Sequence, residues 1–345
     1  MKYYVYTYDD MLSAMNKVAG ATNRSLNRCD EAGRVWHTFH FIDHYHLIYP
    51  CGPHWHRQIA ECFLPDVFSP TPAAEADYFV VPLAVFIGDT RNEQDAKSTL
   101  LLFENEVLNV LVNELPFWSR NKGRHVWFNV GDGWVVPPML KSCAVFKTSC
   151  HRNTPHHAFP YDVLLNRSDI KPIESAEFVC SFAGNIDTHY IRKQIPFILG
   201  QFPGKTYFES TSKFFGFLEK DEQTELQNRW TETLNNSQFV LCPRGNGLSS
   251  IRFFETISFG RIPIVIANDA KLPLANKIDY EKFTIKVPEG EMDQTHRYVE
   301  AFLQRHSISE ASQKARQAWE DNFSTGKLKH LLDSCLPPGG TKLYA

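Results

Sequence analysis

The stretch from Gln238 to Asp269 constrains the fold more than any other part of the chain. Gln238 to Cys242 (QFVLC) is a run of strand length, apolar after its first residue. Pro243-Arg244-Gly245-Asn246-Gly247 follows, and its glycines allow positive φ and close approach of backbone to a ligand. Ser249-Ser250 are good N-cap residues for a helix that runs through Phe259 and stops at Gly260, and Ile262 to Ala267 (IPIVIA) is the next strand. The segment therefore reads as a β-loop-α-β unit. In a right-handed parallel crossover, the loop and the helix N-terminus lie at the carboxyl edge of the sheet. Free N–H groups and the helix dipole there suit an anion such as a diphosphate.

Helical spacing sorts the residues of this unit. Ser249, Arg252 and Glu255 recur every third position on one face, with Ile251, Phe254 and Ile257 toward another. Arg244 and Arg252 are candidates to neutralise diphosphate charge, and Glu255 to accept hydrogen bonds from ribose hydroxyls. The plain alternative is a Gly-rich turn beside a surface Arg–Glu pair. No Gly-Lys-Ser/Thr follows the glycines, which disfavours a nucleoside triphosphatase.

The rest of the chain repeats the strand–helix rhythm of an α/β protein. Strands are expected at Tyr3–Tyr8, at Tyr78–Leu83 ended by Pro82, and at His125–Val130, Ala144–Thr148 and Asp162–Leu165. Gln94 to Leu115 has helical apolar spacing stopped by Pro116. Asn166 to Ser175 reads as a linker. Beyond it lie a strand at Glu177–Phe182, a helical Ile191–Leu199, a strand near Thr206–Phe208 and a polar helix at Asp221–Leu234. This gives a first domain over 1–170, a second over 171–320, and a tail over 321–345 that can pack back on the first. The segment Trp36 to Arg57 is crowded with histidines and aromatics and resists assignment. His44-x-His46 and His54-x-His56 invite a metal reading, but alternation with aromatics suits a half-buried wall better.

Composition narrows the function classes. The 345 residues carry a net charge of −3 with no basic stripe, which argues against nucleic acid as a partner. Eight cysteines occur without CxxC pairs, so neither a zinc site nor a disulfide scaffold is indicated. No signal peptide or apolar run of membrane-spanning length is visible, and a cytoplasmic location is expected.

The run FVLCPRGNGLSSIRFFETISFGRIPIVIANDAKLPL closely resembles the most diagnostic block of the exostosin family of glycosyltransferases. That block has an FCLCPRG-like start, a Ser and an Arg opening the helix, a Glu-Ala-like pair and a Gly-x-x-Pro-Val strand. Thr256 in place of the usual alanine is a mild departure. Glu75 to Pro82 (EADYFVVP) is similar to the family's EADYFFVP stretch. Pro116 to Arg120 with Gly123-Arg124-His125 resembles its P-x-W-N-R…G-R-D-H-F segment. Asp132 stands where the family's following His-Asp-x-Gly carries its aspartate, and Phe182-Ala183-Gly184 with Arg192 looks like its F-x-G…R opening of the second domain.

The resemblance implies a GT-B architecture, two Rossmann-like domains facing a cleft, with donor held by the second and acceptor by the first. It implies an inverting transfer from a UDP-sugar, with xylose, galactose, glucuronic acid and N-acetylglucosamine as donor candidates, onto a glycan hydroxyl. No cofactor is expected. No Asp-x-Asp occurs in the chain, so metal independence is expected, with diphosphate charge met by arginines and the helix N-terminus. Donor-site candidates are Arg244, Gly245, Ser249, Ser250, Arg252, Glu255, Gly184 and Arg192. In-line attack needs a base on the face opposite the leaving group, hence from the first domain. Asp132 is the first choice and His125 and Glu61 are alternatives; a plain turn aspartate is the other reading of Gly131-Asp132-Gly133. Trp36, Tyr45 and Trp55 are candidates to stack on acceptor sugars, or to pack a core. Many eukaryotic exostosin relatives carry a membrane anchor and an accessory domain. Neither is visible here, so a compact single-module enzyme is expected, with a trimmed fragment as the alternative. A non-catalytic carbohydrate-binding relative is a second function class. A nucleotide-dependent oxidoreductase is a third, disfavoured because G-x-G-x-x-G with its acidic partner is missing.

Overall fold

Tyr8 opens a helix rather than extending the first strand, and the reason lies in a capping box absent from the sequence expectations. Thr7 Oγ1 accepts the Asp10 N–H at 3.1 Å while the Asp10 carboxylate accepts the Thr7 N–H at 3.0 Å. The computed structural model describes residues 1–22, 27–31, 34–41, 46–50, 59, 61–63, 66–69, 71–87, 104–132, 136–211 and 220–340. The chain divides into two units, Met1–Pro160 with Thr325–Ala345, and Tyr161–Ser324. The first boundary falls ten residues before 170. The stretch Asn166–Ser175 lies inside the second unit, where Ile173 is buried and Asn235 accepts the Lys171 N–H.

The first unit carries β1 (Tyr3–Val5), β2 (Asn27–Glu31), β3 (Arg34–Phe41), β4 (His46–Pro50), β5 (Tyr78–Ile87), β6 (His125–Asn129), β7 (Ala144–Lys147) and β8 (His157–Ala158). Its sheet runs β2-β3-β4-β5-β6-β7-β8, with β1 on the first half of β5. The pairs among β1, β5, β6, β7 and β8 are parallel, and β2-β3-β4-β5 is an antiparallel extension. The sheet is thus mixed rather than wholly parallel, and the unassigned histidine-rich segment supplies the extension. Pro82 does not end β5. The ladder to β6 instead shifts register between Val80 and Ala84, the irregularity at which a residue without an N–H is tolerated. Helix α1 (Tyr8–Thr22) buries Met11, Ala14, Met15 and Val18, a spacing of i, i+3, i+4 and i+7. They join Leu111 and Val112 of α2 (Asn109–Glu114) and Trp127 of β6 in one core.

The second unit is a parallel sheet of β9 (Phe178–Gly184), β10 (Thr206–Ser210), β11 (Ser237–Pro243), β12 (Ile262–Ile266) and β13 (Ile285–Val287), in the order β10-β9-β11-β12-β13. Its helices are α3 (Ile195–Leu199), α4 (Lys220–Asn235), α5 (Ile251–Ser258), α6 (Thr295–Leu303) and α7 (Ile308–Asn322). Helix α5 ends as the sequence requires, with Gly260 in the left-handed region at φ +64°. Arg261, 1% exposed, donates to the carbonyls of Leu234, Asn235 and Lys171, tying the end of α4 and the 171 segment to the start of β12. Asp162 to Leu165, expected as a strand, pairs with no strand among the described residues, although Val163 and Leu165 are buried. Helix α8 (Leu328–Cys335) returns to the first unit. Among the described residues no helix is long and apolar enough to cross a membrane. Two α/β units, each on a sheet with a parallel core, are the Rossmann-like fold class expected.

Candidate functional site

In the second sheet, the chain leaves β9 to build β10 on one side and returns to place β11 on the other. That reversal makes a topological switch point at the carboxyl ends of β9 and β11, the position where open parallel sheets bind ligands. Gly184 ends β9 and Pro243-Arg244-Gly245 ends β11. The donor candidates of both motifs therefore meet at one edge, although some sixty residues separate them in sequence.

Arginine bonds bind the two loops together. Arg192 donates to the carbonyls of Arg244 (3.0 Å), Pro243 (3.1 Å) and Asn185 (2.9 Å). Its role in this structure is to clamp the loop after β9 onto the loop after β11. A Cβ at Gly245 would lie 3.3 Å from the Arg192 guanidinium and 3.3 Å from Thr188 Oγ1, so a larger residue there would push against the clamp. A Cβ at Gly184 would lie 3.2 Å from the Phe182 ring and 3.7 Å from the Arg252 guanidinium.

Ser250 is the N-cap residue of α5 by backbone geometry, yet its hydroxyl makes no cap bond. The residue is 7% exposed, and its Oγ is buried without a partner. A buried unsatisfied hydroxyl costs about 1–3 kcal/mol. Here it sits beside first-turn N–H groups that a helix leaves open by construction. Ser249 beside it is half-buried.

Arg244 folds over its own loop. Nε and a terminal nitrogen donate to the carbonyls of Gly245 (3.3 Å) and Asn246 (3.1 Å), and the remaining nitrogen lies 3.7 Å from Glu289. Glu289 follows β13 and exchanges bonds with Asn268 after β12, each accepting the other's backbone N–H at 3.2 and 2.9 Å. His189, next to Thr188, has a buried Nδ1 without a partner. Burial, with Arg244 and Arg192 nearby, lowers its pKa against the opposing pull of Glu289. Neither His189 nor Glu289 is singled out by the sequence. Three-residue β13 gives no periodic signal, and His189 lies in a loop whose place at the edge depends on Arg192.

Arg252 and Glu255 are not the surface pair that spacing allowed. Arg252 donates to Glu255 (2.5 Å) and to the Ala183 carbonyl (2.7 Å), and stacks over Trp230 at 4.9 Å. Glu255, 5% exposed, also accepts from Trp230 Nε1 at 2.9 Å. The pair joins α4, α5 and β9 in a half-buried network at the foot of the site.

The base candidates of the first unit separate sharply. His125 opens β6 at the amino end of the strand, is fully buried, and has both ring nitrogens engaged, by Tyr6 Oη (2.9 Å) and the Asn121 carbonyl (2.8 Å). Burial pushes its pKa down to about 4. Glu61 is buried and accepts the N–H groups of Gly326 (2.6 Å) and Leu328 (3.5 Å), capping α8. Both lie buried with their polar atoms engaged by the protein, which leaves Asp132 ahead of them as the base candidate. Asp132 lies just beyond the carboxyl end of β6, half-buried, on a turn shaped by the Gly131 N–H donating to Asn129 Oδ1 at 3.2 Å. Lys147 ends β7 at the same edge, opposite Asn129 in register, and burial pushes its pKa down to about 8. Trp36 lies on β3 with its Cα paired to Cys29, and Tyr45 and Trp55 fall outside the described residues, as does the Trp36 side chain. Of the paired histidines only His46 is placed, at the start of β4.

A probable beta-1,4-xylosyltransferase IRX10L of Arabidopsis thaliana is 24% identical over 247 residues, covering 63% of this chain and 57% of the relative. A probable glucuronosyltransferase GUT1 of Oryza sativa subsp. japonica is 28% identical over 311 residues, covering 77% and 72%. The Exostosin-1 homolog of Caenorhabditis elegans is 44% identical over 64 residues, or 18% of this chain and 17% of the relative. Several of these relatives are thus much longer than the segments this chain matches. The crystal structure of TarM aligns with 96% of the chain at 9% identity and a TM-score of 0.36, too low to support an inference. The family model of the Exostosin GT47 domain matches residues 2–302, nearly the whole chain, and the chain belongs to that family.

Proposed function

We propose that the protein is a glycosyltransferase that moves a sugar from a UDP-linked donor to a glycan hydroxyl, with inversion and without a metal ion. The observation that carries this reading is the unpartnered Ser250 hydroxyl at the N-terminus of α5, at the sheet's switch point, on the loop that also carries Arg244. A donor diphosphate would accept from Ser250 Oγ and the first-turn N–H groups, and Arg244 would turn from its own loop carbonyls to the phosphates. The leaving charge then falls to Arg244 and the helix N-terminus, electrostatic stabilisation in place before the reaction begins. Arg192 holds the loops in position, and the Arg252–Glu255 network orients the ribose end, with Glu255 as its acceptor.

In a single displacement the acceptor oxygen forms its bond to the anomeric carbon as the bond to the diphosphate breaks, and its proton passes to a carboxylate. Asp132 is that carboxylate in this reading, supported by its place at the carboxyl edge of β6. The names of the relatives direct the first trials to UDP-xylose and UDP-glucuronic acid, then to UDP-galactose and UDP-N-acetylglucosamine. The test is a panel of nucleotide-sugars with an acceptor oligosaccharide mixture and excess EDTA, reading released nucleotide diphosphate. Release with one donor, unchanged by the chelator and lost in Arg244→Ala, supports the reading. Release that requires added divalent cation overturns metal independence, and release unchanged in Arg244→Ala overturns the site.

A further inference from the structure

His189 is a titratable side chain of this edge that the proposed transfer leaves without a task. It precedes the helical turn Tyr190–Gln194, its carbonyl accepts the Arg192 N–H at 3.0 Å, and its ring packs on Tyr190 with centroids 4.6 Å apart. Its position is fixed twice. Arg192 clamps the loop to the Pro243 and Arg244 carbonyls, and the preceding Thr188 abuts Gly245. The charged groups that act on the ring are Arg244 and Arg192 on one side of the balance and Glu289 on the other. Burial and two guanidinium groups outweigh one carboxylate and hold the pKa of the free imidazole below its ordinary value. An imidazole with a buried, unpartnered Nδ1 in the field of two arginines is a polar group waiting for a ligand.

We infer that His189 is a further ligand-binding residue of this edge, and that it takes up a proton as the nucleoside diphosphate binds. The inference rests on the donor-site reading above. An anion of charge −2 to −3 placed against Arg244 reverses the field at the ring. The imidazole gains a proton from solvent, and the resulting N–H donates to a phosphate oxygen. One proton is taken from water, none is lost by the protein, and the site gains a third cation beside Arg244 and Arg192. The uptake makes donor affinity fall as pH rises through the window between the free and the bound pKa of His189.

Calorimetric titration of the unmodified protein with UDP and with GDP at pH 7, in buffers of different ionisation enthalpy, reads the proton directly. Repeating it at several pH values reads the linkage. The expected result is uptake approaching one proton per UDP, with affinity falling toward tenfold per pH unit above neutrality. Both effects should be lost in His189→Asn and His189→Gln, and the comparison with these variants cancels the ionisation of the nucleotide itself. Binding of either nucleotide with no uptake, or with uptake that persists in both variants, overturns the role of His189 and leaves the donor site standing. Binding of neither nucleotide overturns the donor-site reading and this inference with it. The uptake and its pH slope in the unmodified protein do not depend on either variant folding.

Discussion

The amino end of β6 and the carboxyl edge of the second sheet both gather polar side chains, and the two places use them in opposite ways. At the amino end of β6, His125 is buried against Tyr6, Phe79 and Trp118, and both nitrogens of its ring have a protein partner. At the carboxyl edge of β9 and β11, Ser250 and His189 keep buried polar atoms without partners, and Arg244 bonds only to its own loop and to Glu289. Satisfied polar groups stabilise a fold; unsatisfied ones at a strand's carboxyl end mark where a ligand completes the set. Asp132 sharpens the contrast, because it lies just beyond the other end of the strand that His125 opens.

The largest expected effect tests that contrast within one strand. Asp132→Asn should lower turnover by about 10²–10⁴-fold while nucleotide affinity stays within twofold, the range for loss of a positioned base. His125→Phe should retain turnover per folded molecule. Equal losses in the two variants would erase the distinction between the ends of β6.

Arg244→Ala should weaken UDP binding and turnover by roughly 10²–10³-fold, the scale for removing one charge-stabilising donor. Its melting temperature should change little, since the side chain bonds only to its own loop and Glu289. Arg261→Ala is the converse. It strands three carbonyls that lose a buried guanidinium, so the second unit should lose about 3 kcal/mol or more in denaturant unfolding.

His125 also predicts an acid limb. Its folded pKa of about 4 lies below the unfolded value of 6.5, so the unfolded chain binds more protons between those pH values. Its contribution is fully present above pH 6.5 and is lost as pH falls toward 4, about 3 kcal/mol at the limit. Thermal melts from pH 7 to 4 should show a shallower decline in His125→Phe than in the unmodified protein. That variant starts lower at pH 7 because Tyr6 Oη and the Asn121 carbonyl lose their partner.

The smallest effect is the most selective. Ser250→Ala should weaken UDP binding about fivefold, roughly 1 kcal/mol, and leave stability unchanged or slightly raised. A fall in stability would show that the hydroxyl is a cap of α5 after all.

The β11-loop-α5-β12 unit was legible because strand, glycine loop, cap and helix stop agree locally. The antiparallel extension was not, since β2 to β4 are formed by pairing across the chain and their histidine-rich sequence gives no period that decides between elements. The α1 helix was legible in principle, through Thr7 and Asp10, and was missed by reading Tyr3 to Tyr8 as one β-rich run. Within the site, glycines and arginines announced themselves through motif chemistry. His189 and Glu289 did not, because their neighbourhood is made by strand order, which brings the ends of β9, β11, β12 and β13 to one edge. His125 and Glu61 show the converse: polar residues open to a catalytic reading from their residue type that lie buried with protein partners.

The central claim is that the carboxyl edge of β9 and β11 holds the donor diphosphate, and a crystal structure with UDP tests it most directly. The account predicts phosphate oxygens within hydrogen-bonding distance of Ser250 Oγ and the Arg244 guanidinium, with His189 in contact. A diphosphate bound elsewhere, with Ser250 and Arg244 left as they are, would contradict it.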